Sequence, residues 1–396
     1  MRRRSPFAVV LAAVTGLTLA PTFSAASAAE NSAFSPDLHA GESSGVTTQD
    51  GVVRLDPTAE PAPLDPSTSQ LPPPRMGMLT LAPQRLAGPA AVVRPEISAE
   101  QPPDTSAVVD VRGRRADGAW SEWVPAETGQ AATLYEPSAE IQLRLVLTGT
   151  AAAGPIVRGL RVTPAPADQF LLAKPPQPLV LQTHRIFATR EGLVGHTTAN
   201  GHVISENDHF VALPSRRALS PRDSQDYSVK VCAPTGKCAW APVWDVGPWN
   251  TRDDYWNPPG VRQDWAQLPQ GTPQSQAAYR DGFNGGLDQF GRKVANPAGI
   301  DLADGVFRDA LGLTDNAYVT VDYLWTGRAA LWQVVIANPL VEVRSAPRAD
   351  AVVVGWAANK TAVAVECGTA GWLRIGPGQF LPGTAVPTAG RPTPCT

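Results

Sequence analysis

The fold of this chain can be approached from two stretches, V-W-D-V-G-P-W-N at residues 243–250 and G-I-D-L-A-D-G at residues 299–305. The first contains Asp245, and the second contains Asp301 and Asp304. Glycosidic cleavage needs a carboxylic acid on the bridging oxygen and usually a second group that stabilises or attacks, so Asp245 and Asp301 are candidate catalytic residues. A structural role stays open, because Asp-x-Gly-Pro is favourable turn chemistry and Asp301 precedes a predicted helix.

A third stretch, G-H-T-T-A-N-G-H at residues 195–202, precedes both aspartates. Its Asn-Gly pair predicts a turn, because both residues tolerate positive φ. The chain order T-A-N-G, then D-x-G-P, then I-D-L followed by a short helix resembles the double-psi β-barrel of rare lipoprotein A, the expansins and the barwins. The resemblance covers roughly a third of the chain, and it departs from the compact family pattern in a long aromatic insertion and in V-I-S-E-N-D-H-F at residues 203–210.

The resemblance implies a glycan-binding groove across the barrel. In that family the aspartates that match Asp245 and Asp301 line a shallow groove, and a threonine, here Thr198, faces them. Asn200 and His196 are further predicted substrate contacts in the same stretch. Rare lipoprotein A proteins can be lytic transglycosylases with one acid/base carboxylate, expansins loosen polysaccharide without hydrolysis, and the same barrel also serves in protease inhibitors.

The segment between the two aspartates is rich in Trp, Tyr, Asn and Gly. It is long for a connection in a compact domain, and such loops tend to be functional. Flat aromatic rings suit the apolar C–H faces of sugars, so Trp249, Tyr255 and Trp256 are a candidate stacking platform. The alternative is that these rings form a small core of the insertion. Only T-P-Q-S-Q-A-A-Y at residues 272–279 is predicted to be helical.

The remaining chain divides by composition and by its alternation of apolar and polar residues. The N-terminus predicts a secretory signal, because a basic start is followed by an apolar run and an Ala-Ser-Ala cleavage site. Stretches rich in Pro and Ser predict linkers. Alternation of apolar and polar residues predicts strands. Near the C-terminus the chain contains, in this order, V-R-S-A-P, V-V-G-W and G-W-L-R-I. This pattern resembles bacterial Src-homology-3-like domains, which commonly target proteins to peptidoglycan. The predicted organisation is a signal peptide (1–29), a disordered linker (30–75), a β-sandwich accessory domain (76–164), a linker (165–182), a double-psi β-barrel domain (183–326) and a Src-homology-3-like domain (333–396).

Four cysteines in an exported chain favour two disulfides. Cys232 and Cys238 flank a turn-like A-P-T-G-K, which suits a bridge that closes a hairpin. Cys367 and Cys395 would then fix the C-terminal tail to the last domain. A reactive thiol nucleophile is the weaker alternative.

Charge and motif content exclude several classes of function. The formal net charge is -3 without a basic stripe, so binding of nucleic acid or of an anionic membrane is not expected. The histidines lack metal-ligand spacing, and no Gly-rich phosphate cradle follows a strand, so neither a metal nor another cofactor is predicted. We expect a secreted protein, extracellular or cell-wall-associated, with no membrane contact after signal cleavage.

These observations predict a mainly β, multidomain chain with a β-sandwich, a double-psi β-barrel with a long insertion and a small Src-homology-3-like barrel. Its predicted partner is cell-wall polysaccharide, above all peptidoglycan, which the barrel groove would bind and remodel. The first alternative is a lytic transglycosylase or glycosidase that uses an aspartate as acid/base. The second alternative is a secreted inhibitor that binds another protein.

Overall fold

The computed structural model describes residues 31–58, 74–126, 129–150, 152–166, 179–388 and 392–395. The predicted signal peptide lies outside these residues, as do residues 59–73 and 167–178 of the two predicted linkers. The chain is mainly β, as predicted, with three modules in chain order. Within the described ranges, no helix is long and apolar enough to cross a membrane.

The N-terminal module is one folded antiparallel sheet of nine strands. Its strands are β1 (Glu42–Ser44), β2 (Val46–Gln49), β3 (Val52–Leu55), β4 (Arg75–Thr80), β5 (Gln84–Glu100), β6 (Ser106–Gly113), β7 (Val124–Ala126), β8 (Ala132–Gly149) and β9 (Ile156–Pro166). The long strand β8 pairs with β4, β5 and β6, and its alternate residues Leu143, Leu145 and Leu147 are fully buried. Strand periodicity therefore directs one face of β8 into the core of this module.

The linker predicted for residues 30–75 is wrong in part. Strand β1 pairs with β4, and β3 pairs with both β2 and β9, so this segment belongs to the N-terminal sheet. Val46, Val53 and Leu55 are buried there. These apolar residues outweigh the Ser- and Pro-rich composition of the surrounding chain.

The central module is a closed ring of six strands. Its strands are β10 (Gln182–Arg190), β11 (Val211–Leu213), β12 (Ser228–Cys232), β13 (Cys238–Val246), β14 (Ile300–Leu302) and β15 (Ala317–Tyr323). The order is β11-β14-β10-β15-β12-β13, and pairing of β13 with β11 closes the ring. The pairs β10–β14 and β11–β13 are parallel, and the other pairs are antiparallel.

The insertion between the two candidate aspartates contains the only α-helix of the described chain, α1 (Gln274–Asp281), close to where the sequence predicts a helix. Shorter helical turns are a π-helix at Gly305–Ala310 and 3-10 turns at Arg216–Ala218, Phe283–Gly286, Leu324–Thr326 and Gly383–Ala385. Buried ion pairs hold the insertion: Asp253 pairs with Arg262, and Asp254 pairs with Arg217 at 2.6 Å. The insertion is therefore an ordered part of the barrel module.

The C-terminal module consists of seven short strands, of which five continue the barrel sheet and two form a separate pair. Its strands are β16 (Leu331–Gln333), β17 (Leu340–Arg344), β18 (Val353–Ala358), β19 (Ala362–Ala364), β20 (Cys367–Thr369), β21 (Trp372–Gly376) and β22 (Gln379–Pro382). Strand β18 pairs in parallel with β13, so the two modules share one hydrogen-bonded sheet. Both predicted disulfides are confirmed: Cys232–Cys238 closes the β12–β13 hairpin, and Cys367–Cys395 holds the tail.

A buried polar contact joins the N-terminal module to the barrel. The Glu122 carboxylate, 6% exposed, accepts hydrogen bonds from the indole nitrogens of Trp256 and Trp325 at 2.7 and 2.8 Å. The indole nitrogen of Trp123 donates to the carbonyl of Leu219 at 3.1 Å. Because buried polar groups are costly without partners, these bonds fix how the two modules meet.

Candidate functional site

Four neighbouring strands carry a row of side chains across the outer face of the barrel. Thr189 on β10 lies opposite Asp301 on β14, Asp301 lies opposite Ala212 on β11, and Ala212 lies opposite Asp245 on β13. The alternate residues of these strands, such as Ile186 and Leu302, are buried in the core. Since neighbouring strands are about 4.8 Å apart, the two aspartate backbones are separated by about 10 Å, with the small Ala212 between them.

A β-bulge brings Asp245 into this row. Val211 lies opposite Val243, whereas Ala212 lies opposite Asp245, so Trp244 is an extra residue on β13. Simple alternation from the buried Ala241 and Val243 would direct Asp245 into the core. The extra residue shifts this alternation by one, as bulges beside active sites commonly do.

Backbone amides hold the Asp245 carboxyl in place. Its Oδ1 atom accepts hydrogen bonds from the N–H groups of Ala199 at 2.7 Å and Val246 at 2.8 Å. Burial raises the pKa of Asp245, while these hydrogen bonds and one from Glu191 favour its ionised form. Asp245 is therefore the member of the site that is best arranged to carry the negative charge.

Glu191 is the residue of this site that the sequence analysis missed. It directly follows β10, on the same strand face as Thr189, and its backbone N–H donates to the carbonyl of Leu302 at 2.9 Å. Its Oε2 atom is buried and receives no hydrogen bond from any described residue. Burial, with the charge of Asp245 and a hydrogen bond to it, raises the pKa of Glu191 well above its ordinary value. The pair therefore favours a protonated Glu191 beside an ionised Asp245.

Asp301 lies beside this pair and holds a second proton near neutral pH. Burial raises the pKa of Asp301 to about 7; the hydrogen bond that Thr189 donates lowers it, and the Asp245 charge raises it. A carboxyl with a pKa near the working pH can both donate and accept a proton. Gly247 adjoins its other oxygen, since a Cβ placed there would lie only 3.8 Å from Asp301 Oδ2.

Thr198 and Asn200 shape the turn that supports Asp245. The Thr198 hydroxyl donates to Asn200 Oδ1 at 2.7 Å, and Asn200 Nδ2 donates to the carbonyl of Ser220 at 3.2 Å. Both side chains are buried, at 2% and 7% exposure, so direct substrate contact is the wrong role for them. Their bonds instead present the N–H of Ala199 to the carboxylate.

The predicted stacking platform is wrong for two of its three rings. Tyr255 and Trp256 are both 0% exposed, and Trp256 stacks on Tyr323 with ring centroids 5.2 Å apart. The Tyr255 hydroxyl donates to the carbonyl of Gly299 at 2.8 Å. The insertion therefore needs these rings as a core, which is the alternative that the composition left open.

Trp249 and His196 stay predicted substrate contacts, because both are half-buried at the edge of the site. Trp249 lies four residues after Asp245, with a left-handed φ of 64°, and its indole nitrogen donates to Asn296 Oδ1 at 3.1 Å. His196 begins the turn around Ala199, and its backbone N–H donates to the carbonyl of Leu193 at 3.0 Å. Among the described residues, no group of three or more His, Cys, Asp and Glu side chains is arranged to hold a metal ion.

Comparison with known proteins gives one match. A domain of unknown function (DUF8814) matches residues 182–322, which contain Glu191, Asp245 and Asp301 together with the insertion. No curated protein and no solved structure matches the chain. The matched range coincides with the six-stranded ring, β10 to β15.

Proposed function

We propose that this protein binds peptidoglycan or a related cell-wall polysaccharide on the outer face of its barrel and cleaves the glycosidic bonds by acid/base catalysis. The observation that carries this proposal is the cluster of Glu191, Asp245 and Asp301, three half-buried carboxyl groups whose pKa values are all raised by burial. Perturbed carboxyl groups on a partly open surface are typical of acid/base sites.

Asp301 is the general acid in this proposal. Its proton passes to the bridging oxygen while the bond from that oxygen to the anomeric carbon breaks. The single negative charge of the Glu191–Asp245 pair stabilises the positive charge that develops on the sugar ring. In a lytic transglycosylase the sugar's own C6 hydroxyl then attacks the anomeric carbon and returns its proton to Asp301, forming an anhydro sugar.

The arrangement favours one acid/base group over two separate ones. Glycosidases that use water place two carboxyl groups about 5 to 9.5 Å apart. Asp245 is instead coupled to Glu191 and held by the backbone N–H groups of Ala199 and Val246, so it is not free to activate a water molecule. We therefore propose anhydro products rather than new reducing ends.

The surrounding modules support a wall-associated role. The closed six-stranded ring with two parallel pairs is compatible with a double-psi barrel, and the small C-terminal β module with a Src-homology-3-like wall anchor. Two disulfides favour an oxidising compartment outside the cytoplasm. Secretion, wall attachment and the identity of both folds are parts of the proposal.

Digestion of purified peptidoglycan sacculi tests the proposal. The soluble products of the protein and of its Asp301→Asn and Asp245→Asn variants would be analysed by mass spectrometry. Asp322→Asn is the matched control, because Asp322 also lies on a barrel strand but pairs with Lys230 at 3.6 Å, away from the site.

We expect anhydro-muropeptides from the protein and from the control, and at least a 100-fold loss in Asp301→Asn, since a positioned acid contributes about 100-fold or more. Sacculi that retain the protein but release no product would assign the groove to binding alone. Products that persist in both site variants would place the chemistry elsewhere.

A further inference from the structure

The outer face of β10 continues from the carboxyl site to an aromatic pair. Outward-facing positions on this strand recur every second residue, so Thr189 is followed, toward the strand start, by Phe187 and Arg185. Phe187 lies opposite Tyr318 on β15, and their ring centroids are 5.1 Å apart. Positions two residues apart on a strand are about 6.6 Å from each other, so this pair lies next to the Asp301 site.

Two guanidinium groups flank the Tyr318 ring. The Cζ atom of Arg185 lies 4.2 Å from the ring centroid, and that of Arg280, near the end of α1, lies 5.3 Å from it. Arg280 also donates a hydrogen bond to the Tyr318 hydroxyl. Both arginines are exposed, and Phe187 and Tyr318 are half-buried.

Neither guanidinium pairs with a carboxylate within the described part of the chain, although most other arginines of the barrel do. The protein does not lack acidic side chains that could pair with them, since its formal net charge is -3. Two like charges over one ring repel each other, and an anion between them would relieve this repulsion. Two unpaired guanidinium groups beside one ring are therefore typical of an anion-binding surface.

We propose that Arg185, Phe187, Tyr318 and Arg280 form a subsite for a carboxylate-bearing sugar unit of the glycan, adjacent to the cleavage site. The Phe187 and Tyr318 rings meet edge to face and offer an apolar surface for the C–H groups of the sugar, and guanidinium groups bind carboxylates in a two-point geometry. This inference rests on the proposed function, because it names the part of the glycan that the same groove selects. The carboxylate belongs either to the sugar's own lactyl group or to a peptide attached to it.

Binding titrations followed by NMR test the subsite, in an Asp301→Asn background that prevents cleavage. The three probes are a GlcNAc–MurNAc disaccharide with a free lactyl carboxylate, the same disaccharide with a peptide, and neutral chitobiose. The test variant is Arg185→Gln/Arg280→Gln, and Arg185→Lys/Arg280→Lys retains both charges. Arg348→Gln is the matched control, since Arg348 is exposed and lies in the C-terminal module.

We expect the double glutamine variant to bind at least one charged probe about tenfold more weakly and chitobiose unchanged, with the lysine variant in between. The charged probe that loses affinity identifies the source of the carboxylate. Equal affinities in all variants, equal losses for neutral and charged probes, or no binding of any probe would overturn the subsite.

Sacculus digestion separates this inference from the proposed function. Cleavage by the protein together with unchanged probe binding in the glutamine variant would reject the subsite and keep the enzyme. Charge-selective binding without any cleavage would keep the subsite and reject the enzyme.

Discussion

Replacing Glu122 by Gln is expected to destabilise the N-terminal module and the barrel together. Besides the two indole bonds to Oε1, its Oε2 atom accepts from Asn257 Nδ2 and from the Tyr135 hydroxyl, both at 2.8 Å. The Arg217 guanidinium lies 3.9 Å away and also pairs with Asp254. One buried carboxylate therefore satisfies donors from both modules.

The expected loss follows from what glutamine cannot do. Its carbonyl oxygen still accepts the two indole bonds, but its amide group then faces the amide of Asn257, where two donors meet. A buried donor left without an acceptor costs about 1–3 kcal/mol. Removing one charge of a buried ionic network costs about 3–5 kcal/mol. Because Arg217 keeps Asp254 as a partner, we expect a loss of about 3 kcal/mol.

Urea denaturation monitored by tryptophan fluorescence and by circular dichroism measures this loss. We expect one transition that shifts by the same amount with both probes, because the contact joins the two modules. Glu100→Gln is the matched control: Glu100 pairs with Arg158 on the surface, where a change within about 0.5 kcal/mol is expected. A loss below 1 kcal/mol in Glu122→Gln would show that this carboxylate does not hold the modules together.

Asp301→Asn is expected to raise the free energy of unfolding by about 1–2 kcal/mol at pH 8 and by almost nothing at pH 4. Burial raises the pKa of Asp301 to about 7, so the stability that the protonated group contributes is present below pH 4 and is lost as the pH rises through 7. The whole pKa shift corresponds to about 4 kcal/mol, and the partial exposure of Asp301 reduces this free energy. Equal effects of Asp301→Asn at both pH values would contradict this prediction. Trp256→Ala is expected to cost about 3–5 kcal/mol in urea denaturation, whereas Trp249→Ala should mainly weaken retention by sacculi, and the reverse pattern would contradict the assignment of the two rings. Replacing Cys367 and Cys395 together by Ser should cost about 3.6 kcal/mol in the same assay, because that bridge closes a loop of 28 residues; a cost below about 1 kcal/mol would show that the reduced tail stays ordered.

The sequence predicts the parts of this molecule that depend on local pattern. Alternation of apolar and polar residues predicts strands such as β8 and β15, and the spacing of Cys232 and Cys238 predicts their disulfide. Asp245 and Asp301 stand in turn and strand-end motifs, so they could be identified without a structure. Each of these signals lies within a few neighbouring residues.

Contacts between distant segments could not be predicted from single stretches. Glu191 lies in an inconspicuous R-E-G, and only the pairing of β10 with β14 brings it to the aspartates. Trp256 appears in an aromatic insertion like a sugar-binding ring, but its partner Glu122 lies 134 positions away in another module. A signal for Glu191 was present, since it stands two residues after Thr189 on the same strand face.

Site-specific titration of the carboxyl groups tests whether this site holds a proton for catalysis at neutral pH. The carboxyl carbons of Glu191, Asp245 and Asp301 would be followed by ¹³C NMR between pH 3 and pH 9, with single Asn or Gln variants to assign them. We expect Asp301 to titrate near pH 7 and Glu191 to keep its proton well above the ordinary pH range of a glutamate, with Asp245 responding to both. Independent titration of all three between about pH 3.5 and pH 4.5 would contradict the proposed function, because the site would then hold no proton for catalysis at neutral pH.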